Sequence, residues 1–336
     1  MADDRVIKNF PPEGSILDHV GDTPVVRLHP DRWGVEAEIF LKLEHFNPWL
    51  SIKDRAAKSM ILTAERDGRL TKSTPIVEAT TGNTGVSLAA IAAQRGYVIT
   101  IVMPEYVSRE RMVLLAMLGA RIELTPAHLG YRETVRRAQE LATRTGAFYI
   151  DQSNNMANPA AHTETGAEIW AQMQGDIDVF VAGVGTGGHI SGVGRYLRAR
   201  NPDVRVVAVE PQGAALLSGR DSLDSARSTH GILGIGPGAV FATTDRSAIT
   251  DVFVTTKDDT YRVARDIIRN EGLLVGISSG ATLHAALTLA RQPELRGKRF
   301  LCMAPSQTER YLSTALTDEA DAHVDALLSE TATSEV

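Results

Sequence analysis

Short apolar runs recur along the chain. Each leads into a turn of glycine, serine, threonine or asparagine, and then into a stretch whose apolar positions repeat at helical spacing. The runs predict strands at 38–42, 76–79, 99–103, 121–124, 148–150, 179–183, 204–209, 252–255 and 299–304. The periodic stretches predict helices at 52–67, 84–95, 109–117, 131–145, 159–174, 188–199, 258–270, 281–291 and 309–314. Such alternation builds βαβ units, so the fold class is α/β, with largely parallel sheets covered by helices on both faces. No internal repeat or low-complexity tract interrupts the pattern. Residues 213–238 are rich in Gly, Ser, Asp and Arg and have no period; a loop that long in a compact chain marks function. The acidic stretch 317–336, rich in Ala, Ser and Thr, reads as a fraying helix followed by a flexible tail.

Composition narrows the classes. With 336 residues the chain suits two domains or one large one. Apolar residues at 43% and charged residues at 23% are ordinary globular usage. A net charge of −6 argues against a dedicated binder of nucleic acid or anionic membrane. The single cysteine, Cys302, excludes an intrachain disulfide and a cysteine-clustered metal site, and a reducing cytoplasm is the expected compartment. The polar opening MADDRVIKNFPPEG has no signal-peptide core, and the longest mostly apolar stretch, 86–93, is far short of the roughly 20 residues of a membrane span.

Five segments carry candidate chemistry. In Asn47-Pro48-Trp49-Leu50-Ser51-Ile52-Lys53-Asp54-Arg55, Pro48 keeps Asn47 out of a helix, and Ser51 with Asp54 forms a capping pair that starts one. Lys53 then sits in the first turn, where a cation is disfavoured by the helix dipole. It is either an ordinary surface lysine or one bonded to something, since a Schiff-base lysine wants a lowered pKa. In Glu78-Ala79-Thr80-Thr81-Gly82-Asn83-Thr84-Gly85, a strand runs through a turn into a helix. Free N–H groups there, with Thr and Asn side chains, make a carboxylate-sized anion site, or simply a capped turn. In Gly183-Val184-Gly185-Thr186-Gly187-Gly188-His189, glycines let backbone approach a phosphate at a helix N-terminus. The same residues fit a weak dinucleotide pattern, with Glu210 about 22 residues beyond Gly188, though there is no P-loop lysine. Gly276-Ile277-Ser278-Ser279-Gly280 places two hydroxyls at another strand-to-helix turn. Gly231–Gly238 is a flexible glycine loop.

Taken together, these segments resemble the cysteine synthase / cystathionine β-synthase family of pyridoxal phosphate (PLP) enzymes of fold type II. The likeness runs from Gly21-Asp22-Thr23-Pro24 through Met103-Pro104-Glu105, Ser108-Arg109-Glu110-Arg111, Gln152 and His162-Thr163-Glu164-Thr165-Gly166 to Glu309-Arg310-Tyr311-Leu312-Ser313-Thr314. It covers about 300 residues in the family's order. The resemblance implies two doubly wound domains with PLP in the cleft between them. Residues 1–43 and 151–316 would form the larger domain, and 44–150 a smaller mobile one carrying the carboxylate loop. It implies that Lys53 holds PLP and later moves the α-proton. Thr80, Thr81, Asn83 and Thr84 would take the substrate carboxylate, with Gln152 on the opposite wall and Asn83 also facing the cofactor's 3′-oxygen. Gly185, Thr186, Gly187 and Gly188 would cup the phosphate, assisted by His189; Ser278 would meet the pyridine nitrogen, and Gly236 would line the mouth. The implied reaction is β-replacement on O-acetylserine or O-phosphoserine through an aminoacrylate. The partners are then an amino-acid substrate and a small nucleophile, in a homodimer.

Several positions depart from the family's wording. His189 stands where a threonine is usual, Ser306-Gln307-Thr308 replaces a glycine-rich turn, and Met156 follows Asn155 where proline is common. The loop at 213–230 carries Arg220, Asp221, Asp224 and Arg227; it is either a solvated stretch of mixed charge in which the acids pair with the arginines, or it brings Arg220 to an anionic leaving group or nucleophile. Three other readings compete: an amino-acid dehydratase of the same fold, a binding protein without the cofactor, and a NAD-dependent dehydrogenase resting on the Gly183 pattern alone.

Overall fold

The computed structural model describes residues 14–221 and 230–333. Its strands are β1 (Val25–Arg27), β2 (Glu38–Leu43), β3 (Ile76–Ala79), β4 (Ile99–Pro104), β5 (Arg121–Thr125), β6 (Phe148–Tyr149), β7 (Val179–Gly183), β8 (Arg205–Pro211), β9 (Asp251–Thr255) and β10 (Arg299–Ala304). Its helices are α1 (Lys53–Arg66), α2 (Asn83–Arg95), α3 (Arg109–Met117), α4 (Gly130–Thr145), α5 (Ala157–Gln172), α6 (Gly188–Arg200), α7 (Lys257–Glu271), α8 (Ile277–Leu289) and α9 (Asp318–Thr333). All nine strands expected from the sequence are present, each within two residues of its expected ends.

The strands form two sheets. One has the order β1-β2-β10-β7-β8-β9, the other β5-β4-β3-β6. Every pairing is parallel except β1 with β2. Burial on both faces explains why the strands read as unbroken apolar runs. On the larger sheet Val179, Val181, Val207 and Val209 point into one core, while Phe180, Ala182, Val206 and Ala208 point into another. The smaller sheet divides similarly, with Ile76 and Ile101 on one side and Val77, Ala79 and Val102 on the other.

Four elements differ from expectation. β1, three residues long and antiparallel, is too short to show a period. α8 starts at Ile277 rather than 281, because Ser278, Ser279 and Gly280 are themselves helical. The segment expected as a helix at 309–314 is a 3-10 turn, Thr308–Tyr311. The stretch after 317, expected to fray into a flexible tail, is helical through Thr333, with Asp318, Glu319 and Asp321 at its positive end. Glu319 ties it to Arg265 and Arg269 of α7. Among the described residues no helix is long and apolar enough to cross a membrane.

The loops after β2, β3, β7, β8 and β10 all leave the carboxyl ends of parallel strands, where open α/β sheets bind ligands. The lysine, carboxylate and glycine turns are therefore brought together by topology.

Candidate active site

The loop carrying Lys53 is built with some strain. Leu50 has φ 64°, a left-handed conformation costly for a branched residue. Its N–H bonds the Asn47 carbonyl at 2.9 Å, and the Ile52 N–H bonds the Pro305 carbonyl at 2.9 Å. The expected Ser51–Asp54 capping pair forms only in part. Ser51 Oγ accepts from the Lys53 N–H at 3.2 Å, but Asp54 takes the Trp49 N–H at 2.7 Å and the Ser87 hydroxyl instead. Asp54 thus links the lysine loop to α2, and burial pushes its pKa up to about 7. Lys53 occupies the first position of α1, and desolvation by burial lowers its pKa.

Two adjoining cavities meet at this lysine. The inner one is lined by Lys53, Asn83, Gly185, Thr186, Gly187, His189 and Ser278, together with Asn158, His162, Ser306 and Tyr311. The outer one is lined by Lys53, Thr81, Thr84, Gln152, Gly236, Arg111 and Arg310, with Tyr106, Tyr131, His230 and Phe241 along its sides. Most of the residues singled out from the sequence therefore stand on the walls of one continuous site.

The 185–188 turn is tightly determined. Gly187 has φ 84°, and a Cβ there would stand 2.0 Å from Thr244 Oγ1. A Cβ on Gly188 would stand 2.4 Å from Asn158 Oδ1, and one on Gly185 would be 3.0 Å from the Gly234 carbonyl. Thr243 and Thr244 both donate to the Thr186 carbonyl, and Asn158 Nδ2 bridges Thr186 Oγ1 and the Gln152 carbonyl. The glycines are required by the protein's own packing, which presses the backbone against the head of α6. The result is a bare-backbone cradle at a helix N-terminus, the form an anionic phosphate takes.

Buried polar atoms without partners mark where a bound group fits. Asn83 Oδ1 and His189 Nε2 are both buried and unbonded, and both residues line the inner cavity. The His189 ring stacks edge-on against His162, with centroids 4.9 Å apart, and tilts against Phe180 at 5.7 Å. Burial holds its pKa down to about 3, so this ring is neutral. A lysine whose pKa is lowered, a bare-backbone cradle, a hydroxyl at Ser278 in the cavity wall and an orphan amide make a donor set that fits PLP.

On the substrate side, Gln152 accepts the Thr84 hydroxyl at 2.7 Å. Behind it lies Glu78, fully buried, which accepts the Asp151 N–H at 2.9 Å and has the Gln152 amides close by. Burial drives the pKa of Glu78 up to about 8. Tyr131 donates to the Ala79 carbonyl and closes the same wall. His230 staples the glycine loop: its Nε2 donates to the Gly236 carbonyl at 2.8 Å, and its Nδ1 accepts the Ile232 N–H at 3.1 Å.

Some expected residues lie elsewhere. Arg220 is exposed and lines neither cavity. Asp221, its neighbour, accepts the N–H groups of Gly213 and Ala215, which ties residues 213–221 into a compact turn with Arg220 exposed on it. Asp224 and Arg227 lie outside the described residues. Thr80 is buried in the turn, where its hydroxyl accepts the Gly82 N–H, and it reaches neither cavity wall. Gly188 opens α6 behind the cradle rather than on its surface. Met156 is exposed in a groove outside the site, whereas Ser306 does stand in the inner wall, bonded to the Tyr311 hydroxyl at 2.9 Å.

The residues missed from sequence are Asn158, Arg111 and Arg310. Asn158 precedes Pro159 inside a helix, a small hint of special placement. The two arginines lie in segments that carry the family likeness, but nothing local singled them out for the cavity, since charge at a helix start is common on any surface.

Comparison with known proteins agrees with this geometry. The family model described as "Pyridoxal-phosphate dependent enzyme" matches residues 16–306. The chain belongs to the pyridoxal-phosphate dependent enzyme family. Within that family it is 41% identical over 302 residues to "Cysteine synthase 3" of Caenorhabditis elegans, covering 89% of this chain and 88% of that protein. Among solved structures it is similar to O-ureido-L-serine synthase, with a TM-score of 0.86 and 42% identity over 92% of this chain and 96% of that one. It is also similar to O-acetylserine sulfhydrylase isoform 3 of Entamoeba histolytica, with a TM-score of 0.85 and 36% identity over 92% and 94%. The two-sheet α/β architecture is that of fold type II within the pyridoxal-phosphate dependent enzymes.

Proposed function

We propose that the chain catalyses β-replacement on an activated L-serine, O-acetylserine or O-phosphoserine, exchanging the β-substituent for a small nucleophile. The observation that carries this reading is the meeting of a lysine with a lowered pKa, a glycine cradle and a carboxylate-sized turn at one two-part cavity. Bound PLP supplies an electrophilic carbon and an electron-withdrawing ring that labilise the substrate's α-proton and β-substituent. Lys53 would hold it, with the 185–187 backbone and neutral His189 toward its phosphate, Asn83 beside its ring and Ser278 at the ring nitrogen. The Ser278 hydroxyl would be a weak partner for that nitrogen, so the ring would draw electrons less strongly than one paired with a carboxylate. Thr81, Thr84 and Gln152 orient the substrate carboxylate, with Glu78 behind Gln152. Lys53 Nζ would then accept the α-proton, and desolvation, which lowers its pKa, favours the unprotonated amine this task needs.

Residues 44–150 would close over residues 1–43 and 151–316 when Thr81 and Asn83 engage the carboxylate, excluding water from the reaction. The expected assembly is a homodimer, in which a second copy would cover the open groove lined by Val20, Leu62 and Met156.

The test is a matrix of reactions. PLP-loaded protein is given acetylserine or phosphoserine, each with sulfide and with a panel of thiols, amines and hydroxyureas, and products are identified by mass spectrometry. The similarity to O-ureido-L-serine synthase is why the panel extends beyond sulfide. Release of keto acid without a nucleophile would point to a dehydratase, and absence of turnover with every pair would overturn the reading.

A further inference from the structure

Two buried cations away from the cavities are matched by acids. Arg55 is bonded to Glu44 and Glu168, and Lys42 to Glu168. Arg111 and Arg310 break that rule. Arg111 donates to the Thr81 carbonyl at 2.7 Å, and Arg310 to the Trp49 carbonyl at 2.9 Å. Arg111 also reaches the Arg310 carbonyl at 3.5 Å, so the two stand side by side. Among the described residues neither has a carboxylate in ion-pair reach, and Arg111 Nε and Arg310 Nη1 are buried with no hydrogen-bond partner. Burial, and then the charge of Arg111, lowers the pKa of Arg310. Asp54 and Glu309 act on it in the opposite sense, but neither is in ion-pair reach, and Asp54 is already bonded to Ser87 and Trp49. Both arginines face the outer cavity, beside Thr81, Ser313 and Thr314. Two adjacent, half-buried, unpaired guanidinium groups repel one another, and an anion between them removes that cost while satisfying the free N–H groups.

We propose that Arg111 and Arg310 form an anion subsite in the outer cavity, which receives the second negative charge of the reaction, carried by an anionic leaving group or an anionic nucleophile. It takes the role expected of Arg220, and it rests on the β-replacement reading above. One arginine is on α3 and contacts the carboxylate loop; the other follows β10 and contacts the lysine loop. A bound anion would therefore also draw the two loops together.

The test uses PLP-loaded wild type, Arg111→Met, Arg310→Met and the charge-keeping Arg310→Lys. Kinetics compare phosphoserine with acetylserine, and thiosulfate with neutral hydroxyurea. Loss of a charge-assisted contact should raise KM for the charged reactant by about 10- to 150-fold in the Met variants, with a much smaller change for its neutral counterpart. Arg310→Lys should recover most of the loss. Selective loss with phosphoserine assigns the subsite to the leaving group, and selective loss with thiosulfate assigns it to the nucleophile. Equal loss for charged and neutral reactants, or no loss, would overturn the proposal. Calorimetric titration of PLP-loaded wild type with inorganic phosphate and with thiosulfate supplies a readout independent of turnover and of variant folding. Saturable binding that competes with the charged reactant supports the subsite, and no binding of either anion refutes it. If anion binding is present and lost in the variants while no substrate pair turns over, the subsite stands and the β-replacement reading falls.

Discussion

Glu44→Gln should be among the most damaging single changes outside the cavities, although it alters one atom. Glu44 is fully buried and accepts four hydrogen bonds: Arg55 Nε at 2.7 Å, Arg55 Nη2 at 3.0 Å, Thr23 Oγ1 at 2.7 Å and Asn47 Nδ2 at 2.9 Å. Arg55 continues to Glu168, which pairs with Lys42, so the cluster holds two cations and two anions in balance. Glutamine keeps the shape but removes the charge, and its NH2 group would face donors of Arg55 or Asn47. The variant leaves a net buried positive charge, which costs about 3–5 kcal/mol. The loss is measured by urea unfolding of wild type and variant at pH 7.5, followed by circular dichroism. Replacing both partners, Glu44→Leu with Arg55→Met, should cost less than Glu44→Gln alone, because Glu168 and Lys42 remain a neutral pair. A loss below about 1 kcal/mol for Glu44→Gln, or a double variant worse than the single, would refute the electrostatic account. The acid limb has a definite sign. Pairing depresses the pKa of Glu168 to about 2 and lowers that of Glu44, so their stabilisation is present above the usual carboxylate range and is lost as pH falls from about 4.5 toward 2.

Lys53→Ala should abolish covalent retention of PLP, seen as loss of the bound cofactor's visible absorbance after dialysis, while the unfolding midpoint stays near wild type because a desolvated amine contributes little to stability. Glu78, whose pKa is raised to about 8, works in the opposite sense to Glu168. It favours the fold while protonated, so its contribution declines as pH rises from about 4.5 to 8, by roughly 1.4 kcal/mol for each step of one in pH. Glu78→Gln should flatten that limb of a stability–pH profile, and a profile unchanged from wild type would reject the assignment. Gly187→Val should lower both cofactor occupancy and fold stability, because the new Cβ collides with Thr244 before any phosphate is present; an unchanged unfolding midpoint would contradict that geometry.

What the sequence disclosed, and what it withheld, divides along one physical line. Lys53, Asn83 and Gly185–Gly188 follow parallel strands and open helices, whereas Ser278, expected at a strand-to-helix turn, opens α8 directly after α7. Turns of that kind are specified by a handful of neighbouring residues, and parallel topology alone delivers them to one edge of the sheets. Their convergence needed no knowledge of side-chain packing. The long-range partners behind them did. Gly187 suggests an open phosphate cup in sequence, yet its absolute requirement comes from Thr244, 57 residues away. Glu78 reads as part of a strand, and only the fold shows it bonding the Asp151 N–H next to Gln152. Arginines are the sharpest case. Arg220 sits in the loop most expected to reach the mouth, yet it is exposed and lines neither cavity, while its neighbour Asp221 bonds the N–H groups of Gly213 and Ala215. Arg111 and Arg310 occupy unremarkable positions at a helix and a short turn, and they reach the cavity because each bonds a carbonyl on the facing loop. A glycine turn carries its conformation with it; a long charged side chain takes its direction from whichever distant groups pair with it. Recognition of the family therefore identifies the reaction centre, while selection among charged reactants falls to side chains whose roles only the folded chain discloses.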